Sequence, residues 1–241
     1  MKEEIKGVLF DKDGTLLDAD SLWVPVGEDV ADAVVQRGGM GSEGRAVVLE
    51  RIGVSGGRII PNSPLASGTT RDVAQAACMV LRERRIPCAV DALSRELHAV
   101  IVESVPRHAQ HIRPLGDLQR LFLFLKRRGI KIGLATSDLY ETAVICLTKL
   151  HVLEFFDFVG ADTGSERPKP APDLLNRFCS TCGLRAEEVA MVGDSRVDMQ
   201  MAKDGGAGLA VVIGERDMEN ADYRITTLDD LVVENERLLW A

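Results

Sequence analysis

Two acids in the stretch "GVLFDKDGTLLD" are spaced so that they could act together on one substrate or one cation. The preceding residues 8–10 are apolar and typical of a buried strand, and Asp11 and Asp13 follow them directly. Side chains alternate along an extended chain, so we expect both acids on the same side. Carboxylates placed in this way repel each other unless a cation or different surroundings separate their roles. A plain turn is the alternative, because Asp-Gly pairs are common in turns.

A second acidic pair occurs where another apolar run ends. In "EVAMVGDSRVD" the run ends at Asp194, and Asp198 follows one helical turn later. A third run, in "IGLATSD", ends in Thr136 and Ser137. The carboxyl ends of parallel strands share one edge of a sheet, and ligands bind there in open α/β folds. Carboxylates gathered at that edge favour Mg2+, which binds a few carboxylates together with substrate phosphate oxygens.

A lysine between two prolines, in "RPKPAPD", is a candidate for binding phosphate. Pro168 and Pro170 restrict the backbone around Lys169, which favours a fixed ammonium group over a solvated one. A fixed cation would offset the charge of a phosphoryl group that lies close to several carboxylates. An ordinary surface loop is the alternative for so short a segment.

The elements that must position these residues can be read from the apolar pattern. Five short runs are almost continuously apolar, as in strands covered on both faces: 5–10, 130–136, 156–160, 188–193 and 208–214. Helical spacing of apolar residues separates most of them, for example at Leu118, Phe122 and Leu125. Alternating strands and helices predict an α/β fold with a parallel sheet and crossover helices.

The region from about residue 19 to residue 112 does not follow this alternation. Its apolar spacing predicts helices within 27–39, 69–85 and 91–105, with Thr69 as an N-cap. The segment 55–68 is rich in Gly, Pro and Ser and is predicted to be a loop. We therefore expect a helical subdomain inserted after the first strand.

The composition narrows the range of partners. The 241 residues carry a net charge of −8, which argues against nucleic acid or an anionic membrane as the main partner. We see neither a secretory signal nor an apolar run long enough to span a membrane. These observations predict a cytoplasmic protein and do not exclude an anionic small molecule as its substrate. Whether the protein is a monomer or a homodimer stays open.

The cysteines and two histidines have plainer interpretations than catalysis. The cysteines are few and odd in number, which predicts reduced thiols: Cys78, Cys88, Cys146, Cys179 and Cys182. Cys179 and Cys182 form a single CxxC on one helical stripe, and core packing is favoured over a metal or redox role. His108 and His111 are predicted to lie at the surface or at a hinge.

Four motifs, taken together and in order, resemble those of the haloacid dehalogenase-like (HAD) superfamily, in its phosphoglycolate phosphatase-like branch. "DKDGTLLD" is similar to the first motif, "IGLATSD" to the second, "RPKPAPD" to the third and "MVGDSRVD" to the fourth. Lys12 stands where the first motif usually has Phe, and it is interpreted as a tolerated variant. The resemblance implies a Rossmann-like core formed by residues 1–18 and 113–241, with residues 19–112 as a helical cap.

The resemblance also implies a reaction, the hydrolysis of a small phosphorylated metabolite through an aspartyl-phosphate intermediate. Asp11 would be the nucleophile. Asp13 would be the general acid and then the general base. Thr136 and the backbone N–H of Ser137 would bind phosphate oxygens, and Lys169 would offset negative charge.

The same resemblance implies Mg2+ as the cofactor. The side chains of Asp11 and Asp194 and the backbone carbonyl of Asp13 would bind it. Asp198 would orient a water molecule around the ion instead of binding the ion directly.

Two other functions remain open at this point. A phosphosugar mutase of the β-phosphoglucomutase type would use the same aspartyl-phosphate but return the phosphoryl group to a second hydroxyl. A receiver-type signalling domain also combines carboxylates, Mg2+, Thr or Ser, and Lys, but it is about half as long as this chain.

Overall fold

Six parallel strands form the centre of the molecule in a computed structural model that describes residues 4–163, 166–214, 218–233 and 237–240. The strands in this part of the chain are β1 (Gly7–Phe10), β2 (Val54–Ser55), β3 (Arg58–Ile59), β4 (Lys131–Leu139), β5 (Phe158–Asp162), β6 (Val189–Gly193), β7 (Leu209–Ile213), β8 (Tyr223–Ile225), β9 (Val232–Val233) and β10 (Arg237–Leu238). The α-helices are α1 (Ala19–Gly38), α2 (Ser42–Ile52), α3 (Pro64–Ser67), α4 (Thr70–Glu83), α5 (Val90–His108), α6 (Leu118–Arg127), α7 (Tyr140–Lys149), α8 (Asp173–Cys182) and α9 (Arg196–Gly205).

The order of strands in the central sheet is β5-β4-β1-β6-β7-β8. The chain leaves β1 for β4 and β5 on one side and then returns to β6 on the other, so the order reverses around β1. Phe10, the last residue of β1, pairs with Leu134 in β4 and with Val192 in β6. The loops that follow these three strands therefore leave the sheet next to each other, where α/β sheets bind ligands.

Alternating side chains of the strands pack on opposite faces of the sheet. Val8 and Phe10 lie in the core cluster that includes residues of α6 and α7. Leu9, between them, lies in the cluster on the other face with Phe178 of α8 and Met199 of α9. All three strand residues are fully buried, which explains why β1 is apolar on both faces.

The helical insertion, which consists of α1–α5 and the β2-β3 hairpin, follows β1, and its core cluster also includes Leu139 and Cys146 of the sheet region. Asp18 caps α1 by accepting a hydrogen bond from the backbone N–H of Asp20. Thr69 caps α4, as its sequence position predicts, and forms a capping box with Asp72. The predicted α/β fold with a parallel sheet and an inserted set of helices is confirmed.

Three local predictions in the insertion are wrong. Helix α1 begins at residue 19 instead of 27, because Pro25 and Gly27 in its first turns have a loop-like composition. Helix α2 is absent from the predicted helices, because four glycines at 38, 39, 41 and 44 precede or interrupt its sequence. The segment 55–68 contains part of a β-hairpin and the short helix α3 as well as loops.

The prediction of five reduced thiols is also wrong, because Cys78 and Cys88 form a disulfide. They are ten residues apart in the sequence, and the turn between α4 and α5 brings their Cα atoms to 5.5 Å, a proximity that spacing alone does not reveal. Cys179, a residue of α8, is buried in the core, as predicted. Over the residues that the structure describes, no helix combines the length and apolar character that a membrane crossing needs.

Candidate active site

The loops that follow β1, β4 and β6 form one small cleft with the segment before α8 and with the insertion. Its cavity has a volume of about 20 Å³. Its lining residues are Asp11, Asp13, Leu65, Ala66, Ser67, Gly68, Thr136, Ser137, Asp138, Lys169, Asp194 and Ser195. Six of the seven site residues predicted from the sequence therefore line this cleft, and the seventh, Asp198, lies fully buried behind it.

Lys169 holds two of the predicted acids. Its Nζ lies 2.6 Å from Oδ1 of Asp11 and 2.7 Å from Oδ1 of Asp198. Burial alone would lower the pKa of Lys169, but the charges of Asp11 and Asp198 outweigh burial and raise the pKa above its ordinary value. The ammonium group is thus charged and fixed, as the surrounding prolines predict.

Asp11, Asp194 and Asp198 form a compact group of carboxylates. One oxygen of each lies within 4.8 Å of the others. Burial raises the pKa of Asp11 to about 7, although Lys169 opposes the rise. Burial and the neighbouring charges of Asp11 and Asp198 raise the pKa of Asp194 to about 8. Oxygen ligands that repel each other in this way are the donor set that a hard divalent cation stabilises.

Gly14 permits the close approach of Asp194 to the loop after β1. Its φ of +77° lies in the left-handed region, which favours glycine. A Cβ at this position would lie 2.2 Å from Oδ2 of Asp194. Asp13 and Gly14 form a turn, which is the alternative that the sequence leaves open. The same turn leaves room for the carboxylate of Asp194.

Asp198 is held from both sides. Its Oδ1 accepts from Lys169, while its Oδ2 accepts from the backbone N–H of Ser195 at 3.1 Å and from the Ser195 hydroxyl. Ser195 and Asp198 together form the capping box of α9. With both oxygens engaged and no exposed surface, Asp198 fixes the position of Lys169 and the start of α9.

Thr136 and Ser137 lie where β4 departs from regular pairing with β5. The register shifts between Ala135 and Leu139, so the residues between them leave the ladder and face the cleft. The Thr136 hydroxyl accepts a hydrogen bond from the backbone N–H of Asp138 at 3.2 Å. Among the described residues, the buried Oγ of Ser137 has no hydrogen-bond partner. These hydroxyl groups are suited to bind the oxygens of a phosphoryl group.

Asp13 contacts a second buried lysine, which the sequence did not single out as functional. Lys12 is fully buried, and its Nζ lies 2.7 Å from both carboxylate oxygens of Asp13. It also forms an ion pair with Asp138 at 2.8 Å. Burial would lower the pKa of Lys12, but Asp13 and Asp138 raise it well above the ordinary value. Nε1 of Trp23, in the first turns of α1, donates to Asp13 at 2.7 Å.

These three residues were missed for different reasons. Lys12 lies inside the first motif but was interpreted as a tolerated variant, since lysine is seldom fully buried. Asp138 directly follows Thr136 and Ser137, and its acidic side chain at a strand end was an available signal. Trp23 carries no signal in the sequence, because its contact with Asp13 depends on how α1 packs.

The comparison with protein families matches residues 5–206 to the haloacid dehalogenase-like hydrolases. The chain belongs to this family. Pyrophosphatase PpaX of Halalkalibacterium halodurans is 28% identical over 209 residues, which cover 87% of this chain and 84% of that protein. Phosphoglycolate phosphatase of Neisseria gonorrhoeae is 27% identical over 237 residues, covering 96% and 90%. The crystal structure of a HAD phosphatase from Thermococcus onnurineus has a TM-score of 0.69 at 26% identity, covering 94% and 96%.

Membership of the haloacid dehalogenase-like hydrolases confirms the family and the α/β fold that the four motifs implied. The prediction of a phosphoric monoester hydrolase is also confirmed, because the matching family is one of hydrolases and relatives over most of the chain are named phosphatases.

Proposed function

We propose that the chain is a Mg2+-dependent phosphatase for a small phosphorylated metabolite, similar to phosphoglycolate phosphatases, that works through an aspartyl-phosphate on Asp11. The observation that carries this proposal is the position of Asp11. Its carboxylate is held by Lys169 at 2.6 Å, lies in the same group as Asp194, and shares the cleft with Thr136 and Ser137. A nucleophile, a cation and phosphate-binding hydroxyls thus face one small space.

The carboxylates present fit a divalent cation. Asp11 and Asp194 would bind it through their side chains and Asp13 through its backbone carbonyl, while Asp198 is already engaged by Lys169 and Ser195. The raised pKa values of Asp11 and Asp194 reflect burial and mutual repulsion, which such a cation would relieve. When bound, Mg2+ supplies charge neutralisation for the phosphoryl oxygens and for the nucleophile.

The residues of the chain then have distinct tasks. A carboxylate oxygen of Asp11 forms a bond to phosphorus, and the bond from phosphorus to the alcohol oxygen breaks. Asp13 gives a proton to the departing oxygen and later takes one from the water that hydrolyses the aspartyl-phosphate. Thr136, Ser137 and Lys169 hold the phosphoryl oxygens and offset their charge through both steps.

The helical insertion limits the size of the substrate in this proposal. Residues 65–68, in and after α3, line the cleft opposite the sheet edge. We take residues 19–112 as the cap and residues 1–18 and 113–241 as the core. A cap in this position excludes water and leaves room for a small leaving group only.

A phosphate-release screen over small phosphorylated metabolites, with and without Mg2+, tests the proposal. We expect Mg2+-dependent release of phosphate from at least one ester. Asp11→Asn should lower the rate by at least about 10³-fold while the protein stays folded. Asp32→Asn, at an exposed ion pair with Arg45, is the matched control and should keep the parent rate.

Two outcomes would contradict the proposal. If Asp11→Asn hydrolyses esters at the parent rate, Asp11 is not the nucleophile. If the parent converts a sugar phosphate into its isomer without net release of phosphate, the protein is a mutase and not a phosphatase.

A further inference from the structure

Lys12 is the residue of the site with the most unusual surroundings. Its side chain has no exposed surface, although it carries a charge. Its Nζ contacts both oxygens of Asp13 at 2.7 Å and Oδ2 of Asp138 at 2.8 Å, and it lies 5.4 Å from the ring centroid of Trp23. Sγ of Cys146, on α7, is 3.9 Å away.

Packing alone does not account for a charged residue at this position. Transferring an ammonium group from water to the interior is costly, and a buried ion pair is often no more stable than apolar residues of the same volume. A well-packed apolar side chain would therefore serve a purely structural purpose at least as well. The positive charge of Lys12 instead offsets the negative charges of the two carboxylates that it contacts, Asp13 and Asp138.

These contacts join three parts of the chain. Asp13 belongs to the loop after β1, and Asp138 belongs to the irregular part of β4 that also presents Thr136. Trp23 belongs to α1 of the helical insertion, and its Nε1 donates to Oδ1 of Asp13. The carboxylate of Asp13 is thus held by Lys12 from the core and by Trp23 from the insertion, and its freedom to rotate is small.

We propose that Lys12 is a positioning residue that fixes the orientation of the Asp13 carboxyl group in the cleft, with Trp23 as the second anchor. The inference rests on the proposed function, in which Asp13 transfers that proton. It gives Lys12, a residue of the first motif, a part in the proton transfer. It also gives the helical insertion a part in that step through Trp23.

The consequence is a dependence on the leaving group. A phosphate ester of an acidic phenol expels its leaving group with little help from a proton donor, whereas an ester of an ordinary alcohol depends on that donor. General acid catalysis contributes typically about 10²–10⁴-fold to a rate. Loss of the anchor should therefore slow the hydrolysis of alkyl esters more than that of activated aryl esters.

The test measures kcat/KM, which includes the step that expels the alcohol, for p-nitrophenyl phosphate, phenyl phosphate and ethyl phosphate at saturating Mg2+. In Lys12→Met we expect the value for p-nitrophenyl phosphate to stay within about threefold of the parent. The values for phenyl and ethyl phosphate should fall progressively further, with a loss of about tenfold or more for the ethyl ester. Trp23→Phe should shift the same ratio in the same direction by a smaller factor.

Two further variants keep the test decisive. Lys12→Met combined with Asp138→Asn removes one of the two carboxylates that Lys12→Met alone would leave without their cation, and it replaces the single variant in the test if that variant does not fold. Lys126→Met removes a lysine that pairs with Asp157 on the outside of the core, and it should leave all three values unchanged.

An equal loss for all three esters, or no loss, in a folded Lys12 variant would overturn this inference and show a structural role only. The failure of the proposed function has a different signature. Asp13→Asn should shift the same ratio strongly if Asp13 is the proton donor. If it does not, the role of Asp13 is wrong, whatever Lys12 does.

Discussion

Two buried lysines contact the acids of the site, and they differ in which regions of the molecule they join. Lys169 binds Asp11 and Asp198, all three carried by loops and a helix of the sheet region. Lys12 binds Asp13 and Asp138 beside Trp23, so its cluster includes a residue of the helical insertion. The first cluster can form without the insertion, whereas the second is complete only when α1 is packed against the sheet edge.

This difference separates two tasks in catalysis. The Lys169 cluster binds and neutralises charge, a task that must be ready before substrate arrives. In the proposed mechanism the Lys12 cluster would orient a proton donor, a task that is needed only when a substrate is bound. Changes to the two clusters should therefore have different effects on metal binding, rate and stability.

Of the changes to the two lysines, Lys169→Met is expected to have the larger effect. Losing the fixed cation beside Asp11 should lower kcat by about 10²–10³-fold for every ester, whatever the leaving group, because in the proposed mechanism Lys169 would offset the charge of the phosphoryl group, which all the esters share. Steady-state kinetics with p-nitrophenyl and ethyl phosphate measures this. If the loss depended on the leaving group as it should for Lys12→Met, the two clusters would not be separate.

Asp194→Asn should raise the thermal stability of the metal-free protein and reduce the further stabilisation by Mg2+. Burial and the charges of Asp11 and Asp198 make the Asp194 carboxylate unfavourable without a cation, so the amide should raise the metal-free Tm. Each kcal/mol corresponds to about 2–4 °C for a chain of this size. The parent should gain stability on addition of Mg2+, and the variant should gain much less.

Thermal unfolding with EDTA and with Mg2+ measures both changes, with Asp32→Asn as the matched surface control. A lower metal-free Tm for Asp194→Asn would show that this carboxylate stabilises the fold without a cation, contrary to the repulsion described above.

The raised pKa values of Asp11 and Asp194 predict how the stability of the metal-free protein depends on pH. Asp194 has a pKa of about 8 and Asp11 of about 7 in the folded protein, both raised from the ordinary aspartate value of 3.8. The folded state therefore binds more protons than the unfolded state between these limits, and the free energy of unfolding falls as pH rises from about 4 to about 8. Each of the two groups contributes about 1.4 kcal/mol per pH unit, so the expected slope is at most about 3 kcal/mol per pH unit between pH 4 and 7.

Urea unfolding in EDTA at pH 5, 6, 7 and 8 measures this slope, and Asp194→Asn should flatten it. A metal-free stability that increases over this range would contradict the assignment of the raised pKa values. Saturating Mg2+ should remove the decrease, because the ion binds the deprotonated carboxylates.

The two clusters also show what the sequence can and cannot predict. The Lys169 cluster was predictable because each member follows an apolar strand or lies between prolines, and parallel strands bring their carboxyl ends to one edge. The five long strands of the sheet were found for the same reason. The order of the strands, the role of Lys12 and the contact with Trp23 depend on packing between distant segments, which periodicity does not record. The disulfide between Cys78 and Cys88 is likewise not recorded by periodicity, because it depends on how the chain turns between α4 and α5.

The smallest expected effect comes from loosening the insertion without touching either cluster. Thr69→Ala removes the hydroxyl of the capping box at the start of α4 and should lower the free energy of unfolding by about 1 kcal/mol. Thr69→Ser keeps the hydroxyl and is the matched control. Because the carboxylates that would bind Mg2+ lie in the sheet region, the gain in Tm with Mg2+ should be the same in Thr69→Ala as in the parent. A smaller gain would mean that the insertion supports the Lys169 cluster too, and the separation between the two clusters would not hold.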